Sequence, residues 1–401
     1  MFLIYGHPHY NSGVARMAAR AGCQRAKEHF PLLKSKRFWI GLVITIVCLV
    51  LAFQGIQLDK LLEAFGRLNW FWLPVLVVVF MVSYLGRVFR WQVLFYPYRP
   101  RWTRVFGALN IGYFLSNITP ARLGDIVRAY MLGTLERIPV ARALSTVLIE
   151  RLMDGLTVVV LLVALLPLIP NIPNDWRNAG LVLGAIGVTG FIVLAILSLQ
   201  KERGMALLQR ITSPIKFLRR EGLWRFISNL IDGFSVIREP RPFLTAIFWS
   251  FEVWLVASFL AWLTMFAMGL TLPFTAAILL QVLTALAVSV AASPGQLGVF
   301  HLTAVVMLTQ LFGVDNNIAL AYAFVFHGLT YILLTTLGLF SAWREGLDLA
   351  RIRDISAQNR EVSIEASHGV PASIVQHGDN ATPDATDVNG NAKVPVQEPV
   401  E

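Results

Sequence analysis

The chain alternates long apolar stretches with short basic ones. Apolar runs cover residues 39–53, 70–85, 105–115, 141–169, 181–199, 243–265, 272–292, 299–312 and 318–340. Several reach the roughly 20 residues that a helix needs to cross a bilayer core. The first is shorter, and Ile56 with its flanking aromatic residues can extend it. This pattern predicts an all-α fold, a polytopic membrane helix bundle of about eight spans. One stretch breaks the pattern. Behind the apolar run 105–115 come Asn117, Thr119, Pro120, Arg122, Gly124, Asp125 and Arg128, a charged segment punctuated by Pro and Gly. Backbone freed from helical hydrogen bonds at membrane depth must be buried in protein or face a water-filled cavity. Ionisable groups beside it are therefore candidates for function.

A second break echoes the first. Thr119, Pro120, Leu123 and Gly124 align with Ser293, Pro294, Leu297 and Gly298, and Gly295 adds flexibility to the second copy. Pro/Gly-interrupted apolar segments in corresponding halves point to the central site of a transporter. The expectation is two broken re-entrant segments in pseudo-repeated halves, with helix ends whose free N–H groups suit an anion. The competing reading is two ordinary kinks with capping residues.

Composition narrows the class. The 401 residues are 56% hydrophobic and only 14% charged, against about 25% charged in soluble domains. The net charge of +10 is spread between apolar runs rather than gathered in a patch. That is the signature of loops retained on the cytoplasmic side and argues against nucleic acid. Cys23 and Cys48 are too few for a disulfide framework or a zinc site, and no cofactor or metal is implied. Four regions follow: a basic cytoplasmic N-terminal segment (1–37) with a weak amphipathic stretch, a membrane domain (38–345), an amphipathic cytoplasmic linker within it (200–242), and a polar C-terminal tail (346–401) whose composition predicts disorder. Arg87, Arg90, Arg99, Arg101 and Arg104, with Trp91 and Trp102 among them, are expected to form a basic aromatic anchor at headgroup depth on the cytoplasmic side. By this count the first break must enter and leave on the cytoplasmic side. A second re-entrant break would leave the tail outside, whereas a crossing would leave it inside, which Arg344, Arg351 and Arg353 favour.

Candidate chemistry gathers at few positions. Glu150 and Asp154 share a helix face, and Arg151 lies within reach of Asp154. They form either a self-compensating cluster near a span end or a buried network with Arg122, Asp125 and Arg128. The second half offers the milder Gln296, His301 and His327, and either histidine alone fits helix packing as well as ligand binding.

Three ordered motifs carry a resemblance. Pro120 to Asp125 with Arg128, then Glu150-Arg151-Leu152-Met153-Asp154, then Pro294-Gly295-Gln296-Leu297-Gly298, resemble the flippase-like transmembrane region of lysylphosphatidylglycerol synthases. The resemblance covers roughly residues 36–345. It implies a bundle of about eight spans in the cell inner membrane, with re-entrant segments, that moves a lipid between leaflets. Arg122, Gly124, Asp125, Arg128, Glu150, Arg151, Asp154, Pro294 and Gly298 match the family's positions. His301 stands where an acidic residue is usual, and His327 where an Arg is common. The synthases carry a soluble aminoacyl-transfer domain, which the 56-residue tail (346–401) does not resemble, so the stand-alone form is expected. The functional expectation is a non-enzymatic transporter or binder of a membrane lipid with an anionic headgroup, working with a lipid-modifying enzyme partner. The alternatives are a membrane enzyme or enzyme subunit acting on a lipid-linked sugar or polyprenyl phosphate, and a non-catalytic scaffold. No Gly-rich nucleotide loop or Asp-x-Asp loop motif supports the enzyme.

Overall fold

The computed structural model describes residues 36–118, 123–168, 177–178, 180–182, 184–190, 236, 238–290 and 294–345. Every regular element among them is helical: α1 (Lys36–Ala52), α2 (Leu58–Gly66), α3 (Leu73–Leu94), α4 (Trp102–Ile118), α5 (Leu123–Glu136), α6 (Val140–Leu165), α7 (Pro240–Ala267), α8 (Phe274–Val290), α9 (Val299–Phe312) and α10 (Asn316–Arg344), with 3-10 turns at Trp70–Trp72 and Pro294–Gln296. The N-terminal segment, the amphipathic linker, the tail, and Pro120 with Arg122 lie outside the described residues.

The bundle has two ends, and hydrogen bonds fix which residues share each. At the far end Gln57 donates its N–H to Asn317 Oδ1 at 2.8 Å, and Asn69 N–H reaches Ala267 O at 2.9 Å. At the near end Arg101 N–H meets Glu136 Oε1 at 3.0 Å, and Asn110 Nδ2 donates to Ser341 Oγ at 2.8 Å about two turns into α4. Between these ends α3 and α7 run antiparallel: Trp72 packs on Phe266, Ser83 Oγ donates to Val253 O, and Phe89 packs on Trp249. α3 with its leading turn (Trp70–Leu94), α7 and α10 are long and apolar enough to cross a membrane. α6 matches them in length with 26 residues but carries Arg142, Glu150, Arg151 and Asp154. The described residues between 180 and 190 pack back along α6, with Gly180 near Leu162 and Gly187 near Val159, in the direction expected of the return span.

The first broken segment is a hairpin that returns to its starting end. α4 and α5 leave and re-enter the near end together, since Arg104 donates to Leu135 O at 2.6 Å opposite the Arg101–Glu136 contact. Their tips are pressed together: a Cβ on Gly124 would lie 1.7 Å from Gly112 O. Small residues at such crossings let helix backbones approach in lipid, where apolar surface alone gives little drive to associate. α4 is 17 residues long, about 25 Å, which is short of the ~30 Å hydrocarbon core.

The second broken segment does the same from the far end. α8 starts beside Trp262, whose Nε1 donates to Leu272 O, and α9 ends at Gly313, two residues before the α10 cap. α10 then runs the whole length of the bundle, and Glu345 at its C-cap faces Gly107 near the start of α4. This corrects the sequence count. A re-entrant second break and a last helix that ends at the near end occur together, because that helix makes a full crossing after the hairpin. A second correction concerns the basic aromatic anchor. α3 continues nine residues past Leu85, so Arg90 and Trp91 are fully buried core side chains rather than parts of an interfacial loop.

Candidate functional site

The two breaks meet in the middle of the bundle. At the second, Gly295 and Gln296 both take left-handed backbone (φ 59° and 61°), and Gly298 follows at φ 81°. A Cβ on Gly295 would touch both Asn117 O, at the end of α4, and the Tyr331 ring, each at 3.4 Å. Tyr331 is halfway along the 29-residue α10, which places the junction at mid-depth. Gly298 is pressed on α1, where a Cβ would lie 2.5 Å from Thr45 O. The left-handed positions explain the Pro-Gly-x-x-Gly spacing: glycine enters these conformations without a Cβ penalty.

Beside the junction three arginines interlock with three carboxylates. Arg90 bridges Glu150 Oε1 at 2.9 Å and Asp154 Oδ1 at 2.6 Å. Arg128 lies 2.9 Å from both Glu150 Oε2 and Asp125 Oδ1, with its N–H vectors directed off the oxygens, and its guanidinium stacks over Trp91 at 4.8 Å. Arg151 forks onto Asp125, 2.8 Å from each oxygen. Trp254 Nε1 adds a bond to Asp154 Oδ1 at 3.1 Å. The six formal charges sum to zero. An isolated charge at this depth costs at least ~2.5–3.5 kcal/mol, so pairing every member is what makes the set tolerable.

Thus Asp125, Arg128, Glu150, Arg151 and Asp154 come together, the second of the two arrangements left open by the sequence. Arg90 is the member that sequence reading assigned elsewhere. Its signal was available as helical spacing: Ser83, Gly86 and Leu94 recur at three- and four-residue steps on the buried side that Arg90 shares. The second-half residues divide. Gln296 and His327 line a central cavity, whereas His301 is shut behind it at 1% exposure. The His301 ring centroid is 4.3 Å from that of Phe324 and 5.0 Å from that of His327. His301 therefore serves as a packing aromatic between α9 and α10.

The cavity itself has a volume of about 660 Å³ and lies against both breaks, touching Ser116 and Asn117 on one side and Gly295 and Gln296 on the other. Arg151 and Asp154 present the edge of the charged network to it. Its size falls within the roughly 300–1,000 Å³ of small-molecule sites.

An all-α, multi-pass membrane protein with two broken hairpins meeting at a polar cavity is the class that fold and site define. The chain belongs to the family of the lysylphosphatidylglycerol synthase TM region, whose model matches residues 38–338. It is similar to a UPF0104 membrane protein of Methanothermobacter thermautotrophicus, 25% identical over 329 residues that make up 78% of this chain and 94% of the relative. A UPF0104 membrane protein of Methanocaldococcus jannaschii is 23% identical over 325 residues, 76% of this chain and 94% of that one. A protein of Haloferax volcanii named glycosyltransferase AglD is 25% identical over 357 residues, covering 80% of this chain but 56% of its own length. No solved structure matches.

Proposed function

We propose that this protein binds an anionic membrane lipid in the central cavity and carries it between leaflets, without making or breaking covalent bonds. The observation that carries this reading is the meeting of two hairpins from opposite ends at one polar cavity. Each hairpin occupies part of the bilayer thickness, so the cavity is screened from each end by a short helical pair rather than by a full span. Movement of either hairpin would then expose the same site to one side at a time, the logic of alternating access around broken helices. The network of Arg90, Arg128 and Arg151 with three carboxylates braces the first hairpin against α3 and α6. In this reading the protein sits in the cell inner membrane with its basic N-terminal segment and near end cytoplasmic, in keeping with the near-end residues Arg99, Arg101 and Arg104. Its partners are the lipid and an enzyme that modifies that lipid.

A second reading, a subunit acting on a lipid-linked sugar, draws on the printed name of the Haloferax volcanii relative. Little more than half of that relative is shared, so its named activity can reside in the remainder.

The test is leaflet exchange of a fluorescent anionic phospholipid in proteoliposomes containing the full chain. Exchange above protein-free vesicles, abolished by Ala257→Trp, which fills the cavity, at an unchanged unfolding temperature, is the expected result. Equal exchange with and without protein would remove the transport reading. Turnover of a lipid-linked sugar by the purified chain would replace it with the second.

A further inference from the structure

The charged network cannot itself be the headgroup site, because its members neutralise one another. Of the charged side chains lining the cavity, Arg151 is forked onto Asp125, and Asp154 is held by Arg90 and Trp254. Arg87 also lines the cavity, and among the described residues no carboxylate oxygen lies within ion-pairing distance of it. Asp154 and the Glu252 carboxylate, unpaired among the described residues, feel its charge at longer range. Arg87 therefore presents the cavity wall with a guanidinium that no carboxylate contact ties down.

Three polar groups with no partner among the described residues surround the same wall. Tyr84 Oη, Tyr113 Oη and Asn117 Nδ2 are buried atoms that make no hydrogen bond, and all three residues line the cavity. Tyr84 itself is 2% exposed, and its ring packs edge-on to Tyr113 at 6.1 Å. Their placement follows from helix geometry. Tyr84 and Arg87 are three apart on α3, Tyr113 and Asn117 four apart on α4, and each pair shares a helix face. A buried donor left unmade costs about 1–3 kcal/mol, and three in one wall are hard to explain by packing.

We propose that Arg87, Tyr84, Tyr113 and Asn117 form an oxyanion subsite that takes the phosphodiester of the transported lipid. A single guanidinium free of carboxylate contact matches a phosphodiester, which carries one negative charge, better than a phosphomonoester dianion. The donor set agrees, since guanidinium, phenol and carboxamide N–H groups all serve phosphate oxygens. Asn117 is also the residue against which Gly295 packs, so the subsite is built onto the junction of the two hairpins. A bound phosphodiester would thus be sensed where the hairpins meet. This inference rests on the lipid-binding reading above, and it places the headgroup contact on Arg87 rather than on the charged network.

The experiment measures retention of lipid by the purified full chain in neutral detergent, using phosphatidylglycerol, phosphatidic acid, diacylglycerol and inorganic phosphate as probes. Phosphatidylglycerol should be held at least tenfold more tightly than diacylglycerol or inorganic phosphate, and more tightly than phosphatidic acid. Arg87→Gln should lower its affinity about tenfold or more and abolish the preference over diacylglycerol, while Arg87→Lys restores part of it. Tyr84→Phe combined with Tyr113→Phe removes two donors with little change of shape, and should cost severalfold in affinity at an unchanged unfolding temperature. That double variant decides the matter if Arg87→Gln does not fold. Wild-type retention by Arg87→Gln or by the double variant overturns the subsite. Diacylglycerol binding as tight as phosphatidylglycerol overturns it too, and inorganic phosphate binding equally well overturns the lipid assignment. Selective, Arg87-dependent retention without leaflet exchange would sustain this inference and sink the transport reading. Exchange unaffected by Arg87→Gln would do the reverse.

Discussion

Arg90 on α3 and Glu150 on α6 meet at 2.9 Å with neither side chain exposed to any degree. Glu150 is shared: its second oxygen faces Arg128 of the re-entrant hairpin. One carboxylate therefore ties a spanning helix and a hairpin to α6. Glu150→Gln keeps the shape and leaves two buried guanidiniums short of charge. Breaking a buried pair from one side costs about 3–5 kcal/mol, and the unfolding temperature in detergent should fall by roughly 10 °C at ~2–4 °C per kcal/mol. Arg151→Gln should cost clearly less, because the Arg151 side chain is 37% exposed and faces the cavity. Equal losses from the two substitutions would show that the network is not organised around Glu150.

The hairpin tip makes a graded prediction among glycines. Gly124→Ala would set a Cβ 1.7 Å from the Gly112 carbonyl, backbone that has nowhere to go, and should exceed the ~1–3 kcal/mol usual for overpacking. Gly112→Ala meets Arg128 and the Gly124 carbonyl at 2.9 Å and should be intermediate. Gly155→Ala on α6 meets nothing within 4 Å and should be neutral or stabilising by up to ~1 kcal/mol through helix propensity. Unfolding curves of the three proteins check the order, and a Gly124→Ala protein as stable as wild type would contradict the close crossing of α4 and α5.

Much of this architecture was legible in the residues. The breaks at Asn117–Arg128 and Pro294–Gly298 stood out because Pro and Gly interrupt apolar runs, and local backbone chemistry is written locally. The gathering of Asp125, Arg128, Glu150, Arg151 and Asp154 was one of two arrangements the sequence left open, supported there by the cost of unpaired charges at depth. Arg90 was not, since its two carboxylate partners lie 60 and 64 positions away, and hydropathy alone ends the span at Leu85. The fate of the two histidines was equally hidden. Gln296 and His327 face the cavity and His301 does not, a difference set by how α9 leans on α10 rather than by anything in the sequence around each residue.

At the far end Asp315 caps α10, accepting from the N–H of Asn317 at 2.9 Å and of Ile318 at 3.4 Å. Slight burial pushes its carboxyl up, but the hydrogen bonds from Asn317 and Ile318 prevail and hold it below the ordinary value. A depressed folded pKa means that the cap's stabilisation is complete above the unfolded value near 3.9 and fades as the pH falls through the lower folded one. Asp315→Ala should therefore cost about 1 kcal/mol near neutral pH and progressively less below about pH 4. A loss that is the same at pH 7 and pH 3 would rule out the ionised cap.

The end-to-end arrangement gives a test that needs no assumption about which side is which. Tyr98, after α3, and Glu345, after α10, are exposed at the near end, whereas Lys60 is exposed on α2 at the far end. With Cys23 and Cys48 replaced by alanine, single cysteines at Tyr98 and Glu345 should react alike with a membrane-impermeant thiol reagent added to intact cells. A cysteine at Lys60 should behave oppositely, and permeabilising the membrane should equalise all three. The decisive comparison is Glu345 with Lys60, because α10 alone separates them once α8 and α9 turn back on themselves. If α8 and α9 instead formed a single continuous crossing, the direction of α10 would reverse, and Glu345 would be labelled together with Lys60. Opposite labelling of this pair, with Tyr98 following Glu345, is the outcome that two hairpins entering from opposite ends require.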